Sequence, residues 1–189
     1  MVWLNRWIRA EKERLLLRFF YKGPIRSVKI IVAHFDGYPL YREKEVFTSR
    51  ISCGIGRLFD RMLQFRAGVP YEVILVVNLH NEADRLQKQE YYRLIQKKYT
   101  FIEKVILRDN SGFDYGGYND GFRYLKESGF CGDVVFMNSS VRGPYCHTWL
   151  LSYQYLFYSA KNIGLCGISM NSHATHLPLE KQRFAPHVQ

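Results

Sequence analysis

Apolar residues in this chain fall in short β-branched runs separated by longer, more polar stretches, and this alternation predicts the elements. Ser27 to Ala33 (SVKIIVA) reads as a buried strand that ends in the loop His34-Phe35-Asp36-Gly37. Tyr71 to Val77 (YEVILVV), Phe101 to Leu107 and Asp133 to Met137 repeat the pattern. Between them lie helical stretches. Residues 46–66 are expected as a helix, weakened by Gly54 and Gly56, and Asp84 to Tyr99 as a polar helix with apolar positions at Leu86, Tyr91, Leu94 and Ile95. A glycine-rich turn then opens a helix through about Glu127. Residues 147–159 read as helical, and Ile163 to Ile168 as a further strand. At the start of the chain, residues 2–20 are rich in helix formers, and Gly23-Pro24 ends the run.

Strands alternating with helices predict an α/β fold with a mainly parallel sheet flanked by helices. Ligands of such sheets bind beyond the carboxyl ends of the strands. That places His34 to Gly37, Asn78 to His80, Asp109 to Gly117 and Asn138 to Pro144 on one rim.

Composition changes this picture only in part. The 189 residues suffice for one sizeable core, and the 14 Tyr and 13 Phe argue against disorder. The net charge of +10 favours anionic partners: a phosphorylated ligand, an anionic membrane surface or nucleic acid. No RNA-binding module is recognisable, so no nucleic acid partner is expected, although charge alone leaves a basic nucleic-acid-binding α/β domain as an alternative. Cys53, Cys131, Cys146 and Cys166 show no zinc-ligand spacing and read as free thiols of a reducing compartment. No apolar run of about 18 residues occurs, and the N-terminus does not read as a signal peptide. A cytoplasmic location is therefore expected, with peripheral membrane contact through residues 1–22. That segment carries Arg6, Arg9, Lys12, Arg14, Arg18 and Lys22 against Glu11 and Glu13, a net charge of +4. A helix packed on its own domain or on a partner explains it slightly better, because Leu15-Leu16-Leu17 broadens its apolar face.

Two stretches carry candidate chemistry. The first, Arg108-Asp109-Asn110-Ser111-Gly112-Phe113-Asp114-Tyr115-Gly116-Gly117, follows a strand and opens a helix. Its glycines permit close backbone approach to a ligand, Asp114 is placed to cap the helix, and a helix N-terminus holds anionic oxygens. A well-capped turn without a ligand would look the same. The second, Val134-Val135-Phe136-Met137-Asn138-Ser139-Ser140-Val141-Arg142-Gly143-Pro144, ends a strand in small polar residues. These can hydrogen-bond ribose or phosphate oxygens, or simply form a turn. His173 and His176 read as surface histidines in a loop rather than metal ligands. Neither a Gly-x-Ser-x-Gly nucleophile motif nor a phosphate-binding Gly-x-x-x-x-Gly-Lys motif is present.

Asn110-x-Gly112, then Asn119-x-Gly121, then a strand into a polar triplet resembles glycosyltransferases of the GT-A fold. In detail the pair N-S-G-F-D-Y-G-G and V-V-F-M-N-S-S-V-R-G-P looks like the rhamnan synthesis protein F family, over about residues 27–189. The resemblance implies a GT-A-like (Rossmann-like) nucleotide-sugar-binding domain over residues 23–189, preceded by the basic amphipathic helix 1–22. It implies transfer of a sugar, rhamnose among the candidates, from a nucleotide diphosphate donor to a saccharide or lipid-linked acceptor in cell-surface polysaccharide synthesis. Asp36 and Asn78 would then sit near the nucleotide. Asn110, Gly112 and Asp114 would lie near ribose or diphosphate, with Asn119 in the same motif, and Asn138, Ser139 and Ser140 would lie at the diphosphate.

The departures from the family pattern are specific. The usual Asp-x-Asp, which would hold Mn²⁺ or Mg²⁺, falls on Asn138-Ser139-Ser140, a set of neutral ligands that binds hard cations weakly. Either the metal is absent, or Asp114 or another acid supplies the charge. Arg108, Arg142 and the helix N-terminus are candidates to offset leaving-group charge instead. The catalytic base is expected beyond Gln189, in an acceptor half that this chain lacks. A truncated, non-catalytic module that binds nucleotide-sugar or protein is the rival reading.

Overall fold

The computed structural model describes residues 25–46 and 49–158, together with Gly23. The expected N-terminal helix, the strand at Ile163 to Ile168 and the histidines at 173 and 176 lie outside them. The order is β1 (Val28–Phe35), β2 (Arg42–Val46), β3 (Ser49–Cys53), α1 (Ile55–Gln64), β4 (Tyr71–Asn78), a 3₁₀ turn (Glu82–Asp84), α2 (Arg85–Lys98), β5 (Ile102–Arg108), α3 (Phe113–Glu127), β6 (Asp133–Asn138) and α4 (Trp149–Tyr158). Arg26–His147 form one compact unit, and α4 belongs to another.

Four strands form a sheet in the order β5-β4-β1-β6, and every neighbouring pair is parallel. Val28 registers with Tyr71 on one side and Asp133 on the other, and Ala33 with Val76 and Asn138. The four strands expected from sequence thus lie parallel, with their carboxyl ends on one rim. The order reverses beside β1: the chain steps out to β4 and β5, then returns past β1 to β6. Right-handed crossovers then put α1 and α2 on one face and α3 on the other.

The β1 and β4 runs are buried on both faces, as strands covered by helices must be. Under α3, Ile31, Ile74, Val76 and Leu125 form a buried cluster. Two glycines set how closely that helix approaches. A Cβ on Gly121 would fall 2.6 Å from Ile31 Cγ2, and one on Gly117 3.3 Å from Ala33 Cβ. On the opposite face Phe59 of α1 meets Tyr99 and Phe101, and Tyr92 of α2 meets His34 edge-on.

Two expectations are corrected. Residues 46–66 are not one helix, because Ser49–Cys53 pairs antiparallel with Arg42–Val46 and only Ile55–Gln64 is helical. The break is Gly54, at φ +101°, where a side chain would strike the Leu40 carbonyl. In α2 the inward stripe is Tyr92 and Ile95, whereas Leu86 is 83% exposed and Leu94 53%. Of the four expected apolar positions Ile95 is buried, beside the Tyr92 ring, and the two leucines and Tyr91 are left exposed.

Candidate functional site

The crevice lies where the strand order reverses, at the carboxyl ends of β1 and β6. The chain leaving β6 is tied to β1 by Ser139 N–H, which donates to the Ala33 carbonyl at 2.9 Å. Asn138 Oδ1 accepts from Ser140 N–H at 3.1 Å, and Val141 N–H donates to the Asn138 carbonyl at 3.1 Å. Asn, Ser and Ser therefore form a tight polar turn, which asparagine favours because its side chain replaces a backbone acceptor. Its free amide group crosses to α3, where Asn138 Nδ2 donates to Asp114 Oδ2 at 3.0 Å. The two motifs singled out in the sequence meet in this bond.

Asp114 is not the helix cap. Gly112 holds that position in the left-handed conformation, with φ +69°, and makes no side-chain cap. Asp114 is the second helical residue, where a carboxylate complements the positive end of the helix dipole. Burial, with the Asp114 charge next in order, pushes the Tyr118 phenol up to about 12. Phe113 also has positive φ, +50°, unusual for a residue with a side chain. Its carbonyl accepts from Asn78 Nδ2 at 3.2 Å, so a buried amide holds this backbone in place.

The Asn78 side chain is held inside the fold rather than presented to the crevice. It is fully buried, and its Oδ1 accepts from Arg108 at 2.7 Å. Arg108 spreads its remaining donors over Asp120 at 2.7 Å and Ser111 at 3.2 Å. Its guanidinium is 12% exposed and ties β4, the glycine-rich turn and α3 together from inside the fold. Gly116 makes room for it, since a Cβ there would come 2.7 Å from Arg108 NH2. Asn110 is half-buried, with its carbonyl accepting from Phe113 N–H at 3.3 Å. Asn119 is exposed. At 100° per residue it lies roughly 200° around α3 from Gly117 and Gly121, on the side away from the sheet.

Asp36 occupies the other side of the crevice. Its side chain is 5% exposed, and Oδ1 accepts from Lys88 Nζ at 3.0 Å and Tyr92 Oη at 2.9 Å. Burial first, and the Asp36 charge second, raise the Tyr92 phenol far above its ordinary value, so it remains a donor. These residues line a cleft of about 440 Å³ together with Tyr38, Pro39, Asp84 and Tyr91. Beneath it His34 is buried, with neither ring nitrogen hydrogen-bonded among the described residues. Burial lowers it to about 4; Asp36 opposes this, while Arg42 and Lys88 add to it. His34 is therefore neutral at physiological pH.

Sequence reasoning missed Arg42, Lys88 and Tyr92. Arg42 stacks over the Tyr38 ring at 4.0 Å and donates to Ser140 Oγ at 3.1 Å, linking the hairpin to the turn after β6. No local pattern marks it. Lys88 and Tyr92 stand one turn apart on α2, a spacing that puts both on one face and was legible once that face was known. Among the described residues no group of three or more His, Cys, Asp or Glu side chains could hold a metal ion, and no helix is long and apolar enough to cross a membrane. Compared with known proteins, residues 74–189 match the family model described as rhamnan synthesis protein F. No curated protein and no solved structure matches.

Proposed function

The chain belongs to the rhamnan synthesis protein F family, and from that premise we propose that it binds a nucleoside diphosphate sugar in a GT-A-like crevice and takes part in glycosyl transfer. The observation that carries this reading is the Asn138–Asp114 bond. It joins the glycine-rich helix start and the polar strand end at the topological switch point, where parallel sheets bind their ligands. The 440 Å³ cleft beside Asp36, with Tyr38 and Tyr91 partly exposed on its walls, has the size and lining to take the nucleoside. The polar turn Asn138-Ser139-Ser140 and the start of α3 face the phosphates.

The reaction is a displacement at the anomeric carbon. The acceptor hydroxyl oxygen bonds to that carbon, the bond to the diphosphate oxygen breaks, and a carboxylate takes the hydroxyl proton. Asp36 is engaged by Lys88 and Tyr92 and Asp114 by Asn138, so neither is assigned the role of base. The donor set fits a divalent cation poorly. Asn138, Ser139 and Ser140 offer only neutral oxygens, and among the described residues Asp114 is the one carboxylate hydrogen-bonded to this turn. No step is therefore routed through Mn²⁺ or Mg²⁺.

The missing carboxylates at 138–140 favour a second reading, a module that binds nucleotide-sugar without turning it over. Calorimetry with uridine, guanosine and thymidine diphosphate sugars and a short RNA, followed by a radiolabelled transfer assay, separates the readings. Binding with transfer supports the enzyme, and binding without transfer supports the module. Strongly salt-dependent RNA affinity with no nucleotide-sugar binding would overturn both.

A further inference from the structure

A second, smaller cleft of about 100 Å³ lies on the outer side of the turn after β6, lined by Ser52, Cys53, Arg57, Arg61, Val141, Arg142, Gly143 and Tyr145. Three of these residues are arginines and none is acidic. Arg57 and Arg61 stand one turn apart on α1, so both face the same way. Arg142 comes from the loop that also carries Asn138-Ser139-Ser140.

The guanidinium groups are positioned but not neutralised. Arg57 uses Nε on Ser52 Oγ at 3.2 Å and keeps its terminal NH₂ groups. Arg61 lies over the Tyr145 ring at 5.2 Å and the Phe65 ring at 5.7 Å, contacts that orient it without consuming its N–H donors. Arg142 is exposed and has no hydrogen bond or ion pair among the described residues. The nearest acid on α1, Asp60, is turned to Tyr41 and Tyr99. Three like charges converging without a counter-charge repel one another unless an anion joins them. The arginine fork matches a phosphate's oxygens two at a time. The cleft is too small for a nucleoside or a sugar ring beside the anion, because whole-ligand pockets run to ~300–1,000 Å³.

We propose that Arg57, Arg61 and Arg142 form a binding site for a phosphate group. Arg57 and Arg61 precede residue 74, outside the stretch that matches the family model. Anion binding stands on the lining of the cleft, and its use in glycosyl transfer rests on the reading above. The phosphate could belong to the donor's diphosphate or to a membrane lipid.

The full chain is titrated with inorganic pyrophosphate as wild type and as Arg57→Gln, Arg61→Gln and Arg142→Gln. Each variant is expected to weaken binding at least tenfold, with Arg142→Lys recovering part of the loss. Arg142→Gln removes no hydrogen bond or ion pair among the described residues, so its thermal midpoint should stay at the wild-type value. Wild-type protein that fails to bind pyrophosphate, or variants that bind it as wild type does, would overturn the site. Two further arms identify the source once the site stands. If nucleoside diphosphate affinity drops by the same factor while nucleoside affinity holds, the phosphate is the donor's. If only sedimentation with phosphatidic-acid vesicles over phosphatidylcholine vesicles drops, it is a lipid's. Arginine-dependent pyrophosphate binding by a chain that binds no nucleotide-sugar would sink the donor reading and leave this site in place.

Discussion

Asn138 donates its side-chain amide to the Asp114 carboxylate over 3.0 Å, although the two residues lie 24 positions apart on different elements. The bond locks the turn after β6 to the first turn of α3. It also holds the Asp114 carboxylate near the positive end of that helix, across the crevice from Asp36.

Asp114→Ala should therefore affect binding more than folding. Loss of one hydrogen bond and one favourable helix-dipole contact costs about 1 kcal/mol of stability. Nucleoside diphosphate sugar affinity should weaken at least tenfold, by calorimetry on the folded protein. A collapse of the thermal midpoint with normal binding by the folded fraction would make Asp114 purely structural.

Arg108→Lys should behave in the opposite way. Arg108 is 12% exposed and bridges Asn78, Ser111 and Asp120 with a planar fork that an ammonium group does not reproduce. The expected loss is about 2–3 kcal/mol, read as a lowered urea midpoint with an unchanged slope. A loss under about 0.5 kcal/mol would mean that the network relaxes without it.

His34 predicts a particular pH dependence. Its folded value of about 4 lies below its ordinary 6.5, so between these values the unfolded chain binds more protons than the folded one. Stability thus falls as pH drops from 6.5 towards 4, by roughly 3 kcal/mol from this group. Comparing wild type with His34→Leu by urea unfolding at pH 7 and pH 4.5 isolates the contribution, since other titrations are shared. Equal pH slopes in the two proteins would show that His34 takes up its proton in the folded state.

Metal removal should matter little. Nucleoside diphosphate binding is expected to change less than tenfold on adding EDTA, a shift below ~1.4 kcal/mol, because Asn138, Ser139 and Ser140 offer a cation no charge. Titration with and without Mn²⁺ checks this, and tight Mn²⁺-dependent binding would overturn it.

The sequence by itself determined the parallel strands, their shared rim and the two motifs. Buried β-branched runs such as Val28 to Ala33 and Val73 to Val77 have few other stable environments, and the glycine-rich turn announces itself locally. It also hid things. Strand β3 was absorbed into an expected helix over 46–66 and its partner β2 gave no strand signal, and Leu86 and Leu94 looked like a core stripe that the fold leaves in solvent. What only the tertiary structure decided is which polar groups remain free. Asn78 and Arg108 looked like ligands but bond to each other inside the fold, while Arg57 and Arg61, unremarkable in the sequence, line one cleft with Arg142 and no carboxylate. Local pattern reports burial and turn chemistry because those depend on neighbours along the chain. A hydrogen-bond partner 30 residues away, as Arg108 is to Asn78, is set by strand order and register, which no local pattern encodes.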